Sequence, residues 1–318
     1  MRFLVLFVIL FVIEVIFIKI AKRFKLTDIS RENNVDLDGT VQGGGIIFFF
    51  AALCYYVYYD FQYSTFILGL AILSVVSFVD DIKSLSISSR LFFQFLSVSL
   101  VLSQLGFHVP LSWIYISILI VSVGVINAYN FMDGINGMTG GYSSIVILAL
   151  WFVNNYHIKF IDNDFLIFTL LGLMVFSYFN FRTKARCFAG DVGSISIAVI
   201  ILFLLVKLIF KEQNLTYILF LSVYGVDSVL TIIHRLFLKE NIFKAHRLHL
   251  FQVIVHNLKV PHLLMASIYM FIQSIICGIV IFNLRYSINI QLIASVGIMI
   301  LLATLYVIMK RKVMALTV

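Results

Sequence analysis

Long apolar runs alternate with short polar connections along the whole chain. Eleven of these runs are long enough to cross a hydrocarbon core, which takes roughly 20 helical residues, and their centres fall near Ile9, Phe50, Ala71, Val98, Leu119, Ile147, Gly172, Ile200, Ser222, Phe271 and Val296. The pattern predicts an all-α, polytopic membrane protein of about 11 transmembrane helices. The first run is interrupted by Glu14 and followed by Lys19, Lys22, Arg23 and Lys25, with no small-x-small cleavage pattern. It is therefore expected to remain as a helix rather than be removed as a signal peptide.

One connection stands apart. The stretch Asn127-Ala-Tyr-Asn130-Phe-Met-Asp133-Gly134-Ile-Asn136-Gly137-Met-Thr-Gly140-Gly141 holds four glycines and four Asn or Asp side chains. In a membrane-spanning protein such polarity and broken helix are tolerated where they line a cavity or reach water, which makes this stretch the first candidate for a site. Asn127, Asn130, Asp133 and Asn136 recur every third residue, and on a helical turn they would point to roughly one face. Side-chain amides offer donors and acceptors that suit a nucleobase, a ribose or an acetamido sugar.

Composition supports the membrane reading: 62% of the 318 residues are apolar and 12% charged, against about 25% charged in an ordinary soluble domain. The 23 Lys and Arg outnumber the 15 Asp and Glu, but the excess follows the connections and points to membrane anchoring, not to nucleic acid. With the N-terminus outside and the C-terminus cytoplasmic, 18 of the 23 basic residues fall on one set of connections and 5 (Arg2, Lys159, Lys207, Lys211 and Arg285) on the other. No connection is long enough for a soluble domain, and no internal repeat is evident. Residues 1–318 thus read as a single integral-membrane domain with cytoplasmic loops at about 19–42, 80–90, 127–141, 180–194 and 234–262. Cys54, Cys187 and Cys277 lie far apart without C-x-x-C spacing, which indicates packed thiols.

The remaining polar motifs fall on that same cytoplasmic side. Asp80 and Asp81 are adjacent carboxylates, which can hold a divalent cation or yield a general base when one raises the pKa of the other; solvated interface charges are the plain alternative. In Phe188-Ala-Gly190-Asp191-Val-Gly193-Ser194 the small residues let backbone and a phosphate approach Asp191, and Asp with Gly at a helix start brings a cation and an anion together. His246 and His249 would share a face if helical, with Arg247 nearby for phosphate. A zinc site lacks a third ligand, so a phosphate-contacting pair is the better reading. Lys184 and Arg186, just before Asp191, are either phosphate contacts or ordinary anchors.

With these motifs the sequence resembles the polyprenyl-phosphate N-acetylhexosamine-1-phosphate transferases of the MraY/WecA type, particularly the O-antigen-initiating branch. The resemblance covers nearly the whole chain. It rests on Thr40-Val-Gln-Gly43-Gly-Gly45, Val79-Asp80-Asp81 through Leu85, Arg90 and Gln94, Asn127-x-x-Asn130-Phe-x-Asp133-Gly-x-Asn136-Gly, Phe188-x-Gly-Asp191-x-Gly-Ser194 and His246-Arg-x-His249-Leu. It implies transfer of a sugar 1-phosphate from a UDP-sugar to undecaprenyl phosphate in a bacterial inner membrane, releasing UMP, with magnesium or alternatively manganese as cofactor. By the same resemblance Asp191 is the metal ligand that bridges the diphosphate, and Asp80 and Asp81 orient or deprotonate the lipid phosphate. Asn127, Asn130, Asp133 and Asn136 contact nucleotide and sugar, Phe188 stacks on uracil, and His246 and His249 lie near the phosphates. Lys184, Arg186 and Arg247 are further expected substrate contacts. Bilayer lipid is an expected partner and a homodimer is the assembly to test.

Two departures stand out. Relatives typically read Thr-Pro-Arg-Gly-Gly-Gly where this chain has Thr40-Val41-Gln42, which removes a cation, and a proline common before the Gly-Asp motif is missing from 180–187. The competing class, a transporter of an anionic solute, calls for charges near the bilayer midplane. Glu14 and Asp227 are the only acids well inside or at the edge of helices, a distribution that favours the enzyme.

Overall fold

The computed structural model describes residues 1–28, 39–106, 112–241 and 247–315. These residues form twelve α-helices: α1 (Arg2–Arg23), α2 (Ile47–Tyr58), α3 (Ser64–Ile82), α4 (Ile87–Gln104), α5 (Trp113–Met132), α6 (Met138–Tyr156), α7 (Asn163–Asn180), α8 (Gly190–Glu212), α9 (Ser222–Phe237), α10 (Leu250–Leu258), α11 (His262–Asn283) and α12 (Ile288–Ala315). Every centre of an apolar run lies in one of them. Eight helical segments are long and apolar enough to cross a membrane by length and composition. The runs centred on Phe50, Val98 and Ile147 are not among these eight. α2 has only 12 residues after a 3-10 turn at Gly44–Ile46, α4 carries Arg90, Gln94 and Gln104, and α6 opens on Thr139-Gly140-Gly141.

Two local features depart from the expectation. The run centred on Ser222 is not one α-helix, because Leu215–Leu221 winds as 3-10 helix before α9 begins. The connection expected at 234–262 contains α10, a nine-residue helix whose Phe251, Val253, Ile254 and Val255 are buried. A run that short lies below the length that marks a span. The all-α architecture is interrupted by one small antiparallel pair, β1 (Thr27–Asp28) with β2 (Thr40–Val41), and Val41 also pairs in parallel with Cys187.

α8 is the axis of the packing. From Val192 to Val206 it carries no charged residue and is buried along most of its length, as expected of a helix that is apolar all round. α2, α3, α5 and α6 surround it. Small residues allow close approach: the hydroxyls of Ser74 on α3 and Ser196 on α8 are 2.9 Å apart. A Cβ on Gly45 would stand 2.3 Å from the Cα of Gly193, so the 3-10 turn and α8 cross backbone to backbone. α12 buries few residues, among them Gln291, Tyr306, Lys310 and Val313, and turns the rest of an apolar surface outward. Away from the polar motifs the helices are tied by Arg2 to Asp164 at 2.9 Å, His157 to Glu212 at 3.0 Å and Asn214 to Gln291 at 2.8 Å.

Candidate active site

The site begins with the way α8 starts. Gly190 has φ +69, and a Cβ there would lie 2.7 Å from Asp81 Oδ2, so glycine lets the chain turn into the helix directly against that carboxylate. Asp81, at the end of α3, accepts the backbone N–H of Asp191 at 2.9 Å and of Val192 at 3.1 Å. It also accepts from Gln42 Nε2 at 3.0 Å. Asp81 thus supplies, from another helix, the carboxylate that caps the N-terminus of α8. Where the resemblance leads one to expect an arginine, this chain sets a neutral amide on that carboxylate.

A charged chain runs beside it. Asp80 accepts the Leu85 N–H at 2.6 Å and faces Arg90 Nε at 3.1 Å, while Arg90 Nη2 reaches Asp191 Oδ2 at 3.3 Å. With the Asn130 amide turned to satisfy its neighbours, its NH2 donates to Asp191 Oδ1 at 3.0 Å and to Ser194 Oγ at 2.9 Å, and its oxygen accepts from Arg90 Nη2 at 3.2 Å. Arg90 therefore bridges two carboxylates with its fork, a geometry that lysine lacks. Sequence reasoning placed Arg90 in a motif but gave it no role. Among the described residues no group of three His, Cys, Asp or Glu side chains gathers to hold an ion. The ligand atoms present near Asp191 are carboxylate oxygens, its own and those of Asp80 and Asp81, the hard set that suits magnesium or manganese.

Asp191 faces a cavity of about 400 Å³ lined by Gln42, Asn130, Asp133, Asn136, Phe188 and His262, with the 189–190 backbone between them. Asp133 is the residue that ends α5; it accepts from Thr139 Oγ1 at 2.6 Å. Burial, opposed by that hydrogen bond and reinforced by the charge of Asp81, pushes its pKa up to about 6. Asn136 lies in the following turn and donates to the carbonyls of Arg182 at 2.9 Å and Thr183 at 3.2 Å, tying the loop before the Gly-Asp motif to the α5–α6 turn. Phe188 is held by its N–H donating to the Val41 carbonyl at 2.8 Å. His262, the first residue of α11, was missed in the sequence, where its placement directly after Pro261 at a helix start was the available signal.

The other expected residues lie elsewhere. Asn127 sits within α5, where its amide donates to Gln94 Oε1 on α4 and to the Val123 carbonyl, both at 2.8 Å, so the four Asn and Asp residues do not share one face. Lys184 and Arg186 line a second cavity against α1, not the one that holds Asp191. His246 lies outside the described residues, and Arg247 is exposed. His249 is buried and precedes α10 in extended conformation instead of lying on a helix face. Its Nδ1 is 3.2 Å from Asp227 Oδ1, and that carboxylate also accepts from the Leu250 N–H at 3.0 Å and from Tyr269 at 2.6 Å. The two intrahelical acids both face motif loops: Asp227 fixes His249, and Glu14 Oε1 lies 3.5 Å from Cys187 Sγ.

Comparison with known proteins agrees with this geometry. Residues 63–209, which carry the Asp80-Asp81, Asn130-to-Asn136 and Gly190-Asp191 segments, match the family described as Glycosyl transferase family 4. The match spans a little under half of the chain. A phospho-N-acetylmuramoyl-pentapeptide-transferase of Halalkalibacterium halodurans is 25% identical over 284 residues, covering 76% of this chain and 85% of the relative. The protein of the same description from Thermotoga maritima is 24% identical over 260 residues, 74% of this chain and 83% of its own. One from Staphylococcus epidermidis is 30% identical over 152 residues, 45% of each chain. The chain is thus similar over much of its length to phospho-N-acetylmuramoyl-pentapeptide-transferases, and eight of its helical segments are long and apolar enough to cross a membrane.

Proposed function

We propose that the chain transfers an N-acetylhexosamine 1-phosphate from a UDP-sugar to undecaprenyl phosphate, releasing UMP, on the cytoplasmic face of a bacterial inner membrane. The product would be the first lipid-linked unit of a surface glycan such as O-antigen. The observation that carries this reading is the Asp191 carboxylate, fixed at the start of α8, bridged by Arg90 to Asp80 and open to a cavity walled by amides and one aromatic ring.

The cavity's chemistry divides along the donor. Phe188 offers a ring face to the uracil, and Asn130, Asp133 and Asn136 offer hydrogen-bond partners for ribose or acetamido sugar. Asp191, with Asp80 beside it, fits magnesium, which is commonly held by one or two carboxylates plus water and substrate phosphates. When bound, the ion would offset the charge of the diphosphate during phosphoryl transfer. Arg90 is placed to stabilise charge that spreads over the transferred oxygens. A phosphate monoester is mostly dianionic near pH 7, its second pKa being about 6, so the acceptor needs alignment more than it needs a strong base. Asp80 then serves by holding Arg90 and Asp81 by holding α8.

Membranes containing the protein, given undecaprenyl phosphate and a panel of UDP-sugars, should yield one lipid-linked N-acetylhexosamine phosphate by mass spectrometry, with UMP in equal amount. No lipid product from any donor in the panel overturns the reading.

A further inference from the structure

The cavity lined by Lys184 and Arg186 is separate from the one that Asp191 faces. It measures about 650 Å³ and opens between the last two turns of α1 and the loop after α7. Val15, Ile18, Lys19 and Lys22 follow one another at helical spacing and line it from α1. Apolar Val15 and Ile18 thus lie on the bilayer side of Lys19 and Lys22, and Phe179, in the last turn of α7, faces them. Lys184 and Arg186 close the cavity from the loop, so two pairs of cations converge from segments about 160 residues apart in sequence.

Ordinary positive-inside anchoring explains scattered cations at helix ends. It does not explain a shared cavity with an apolar floor. The loop is also held in shape: Arg186 donates its N–H to the Phe179 carbonyl at 2.9 Å, and Thr40 Oγ1 donates to the Ala185 carbonyl at 3.4 Å. Thr40 and Arg186 face this cavity, whereas Gln42 and Phe188, each two residues on, face the cavity of Asp191. The paired Val41 and Cys187, both fully buried, form the partition between the two.

We propose that this cleft is a second ligand site, which takes the phosphate headgroup of an anionic glycerophospholipid of the surrounding bilayer between Lys19, Lys22 and Arg186. An acyl chain lies along Val15, Ile18 and Phe179. The site is distinct from the transfer site and touches it through the Val41–Cys187 partition.

The test is lipid binding to the full chain, purified in detergent and stripped of lipid, followed by native mass spectrometry with dioleoyl phosphatidylglycerol or dioleoyl phosphatidylcholine. One phosphatidylglycerol should bind at least tenfold more tightly than phosphatidylcholine, and more weakly at high salt. The Lys19→Gln, Lys22→Gln double variant should lose that preference, while Arg311→Gln with Lys312→Gln on α12 should keep it. Equal binding by the first variant, or equal loss in the second, overturns the proposal. Displacement by millimolar inorganic phosphate would reassign the cleft to free phosphate, and mole-for-mole displacement by undecaprenyl phosphate would make it the acceptor's own site; either result overturns it. A second measurement needs no variant: phosphatidylglycerol with a diazirine in its acyl chain should crosslink to peptides holding Val15, Ile18 or Phe179. Crosslinks confined to α11 and α12 would refute it.

Discussion

Asp81 and Asp191 meet through a backbone bond, the Asp191 N–H donating to Asp81 Oδ1 at 2.9 Å, while the Asp191 side chain points to Arg90 and the cavity. The two acids therefore do different work. Asp191→Asn keeps the shape but removes the charge and one of the two acceptors that face Arg90 and Asn130, and it is expected to abolish transfer with a smaller drop in the unfolding temperature in detergent than Asp81→Asn. Asp81→Asn turns an NH2 group toward backbone donors, and hydrogen bonds to charged groups contribute about 1.5–3 kcal/mol. It is expected to cost activity and to lower the unfolding temperature as well. Thermal unfolding and a transfer assay on both variants decide the matter. Residual Asp191→Asn activity within about tenfold, only ~1.4 kcal/mol in barrier, would be incompatible with a metal-holding role.

The pKa of Asp133, raised to about 6 mainly by burial, has a consequence for stability. The folded state binds this proton more tightly than the unfolded chain, whose Asp titrates near about 4. The contribution to stability is therefore present below about pH 4 and is lost as pH rises through about 6. Asp133→Asn should raise the unfolding temperature at pH 7.5, and the gap from wild type should close by pH 4. A constant gap across that range would mean that the carboxyl does not carry the pH dependence.

Orientation is open to a labelling experiment. In a Cys54→Ser background, a cysteine replacing Gln213, beyond the end of α8, should react in intact cells with a membrane-impermeant thiol reagent. One replacing Lys239, beyond the end of α9, should react only after the membrane is opened. The reverse pattern would contradict the 18 to 5 distribution of basic residues.

Transfer should be a single displacement without a covalent sugar-phosphate enzyme, because the acceptor is already a competent nucleophile and Asp191 is engaged by Arg90 and Asn130. Protein freed of polyprenyl phosphate, incubated with UDP-sugar and radiolabelled UMP, should put no label into UDP-sugar until lipid is restored. Exchange without lipid would establish an aspartyl intermediate.

The helices were legible because apolar runs of about 20 residues have few alternatives in a chain this apolar. α10 was not, since nine residues fall below that length, and neither was the 3-10 winding of Leu215–Leu221, which leaves the hydropathy unchanged. Within the site, the motif Asn130 to Asn136 was readable as polar but not as a surface. Steps of three residues turn about 300° around a helix, so successive side chains drift by about 60°, and α5 stops at Met132 before the series ends. Asn127 thereby meets Gln94, while Asn130 meets Asp191. The roles of Arg90, Asp227 and His262 depend on contacts between distant segments, which local spacing does not encode. Lys184 and Arg186 were misdirected for the same reason: closeness in sequence to Asp191 did not bring them to its cavity.

The cap that Asp81 places on α8 also fixes when the site can exist. Its backbone donors follow it by 110 residues, and Glu14 precedes Cys187 by 173. At about 5–20 residues per second, a nascent chain carries the Asp81 carboxylate for roughly 5–20 s before the N–H groups that satisfy it have been made. Through that interval Asp80 already has Leu85 and Arg90, whereas Asp81 lacks the backbone donors of α8, and translation that stalls between Ile82 and Gly190 would leave it so. The start of α8 is therefore completed only after α2, α3, α5 and α6, the helices that surround it, have all been made.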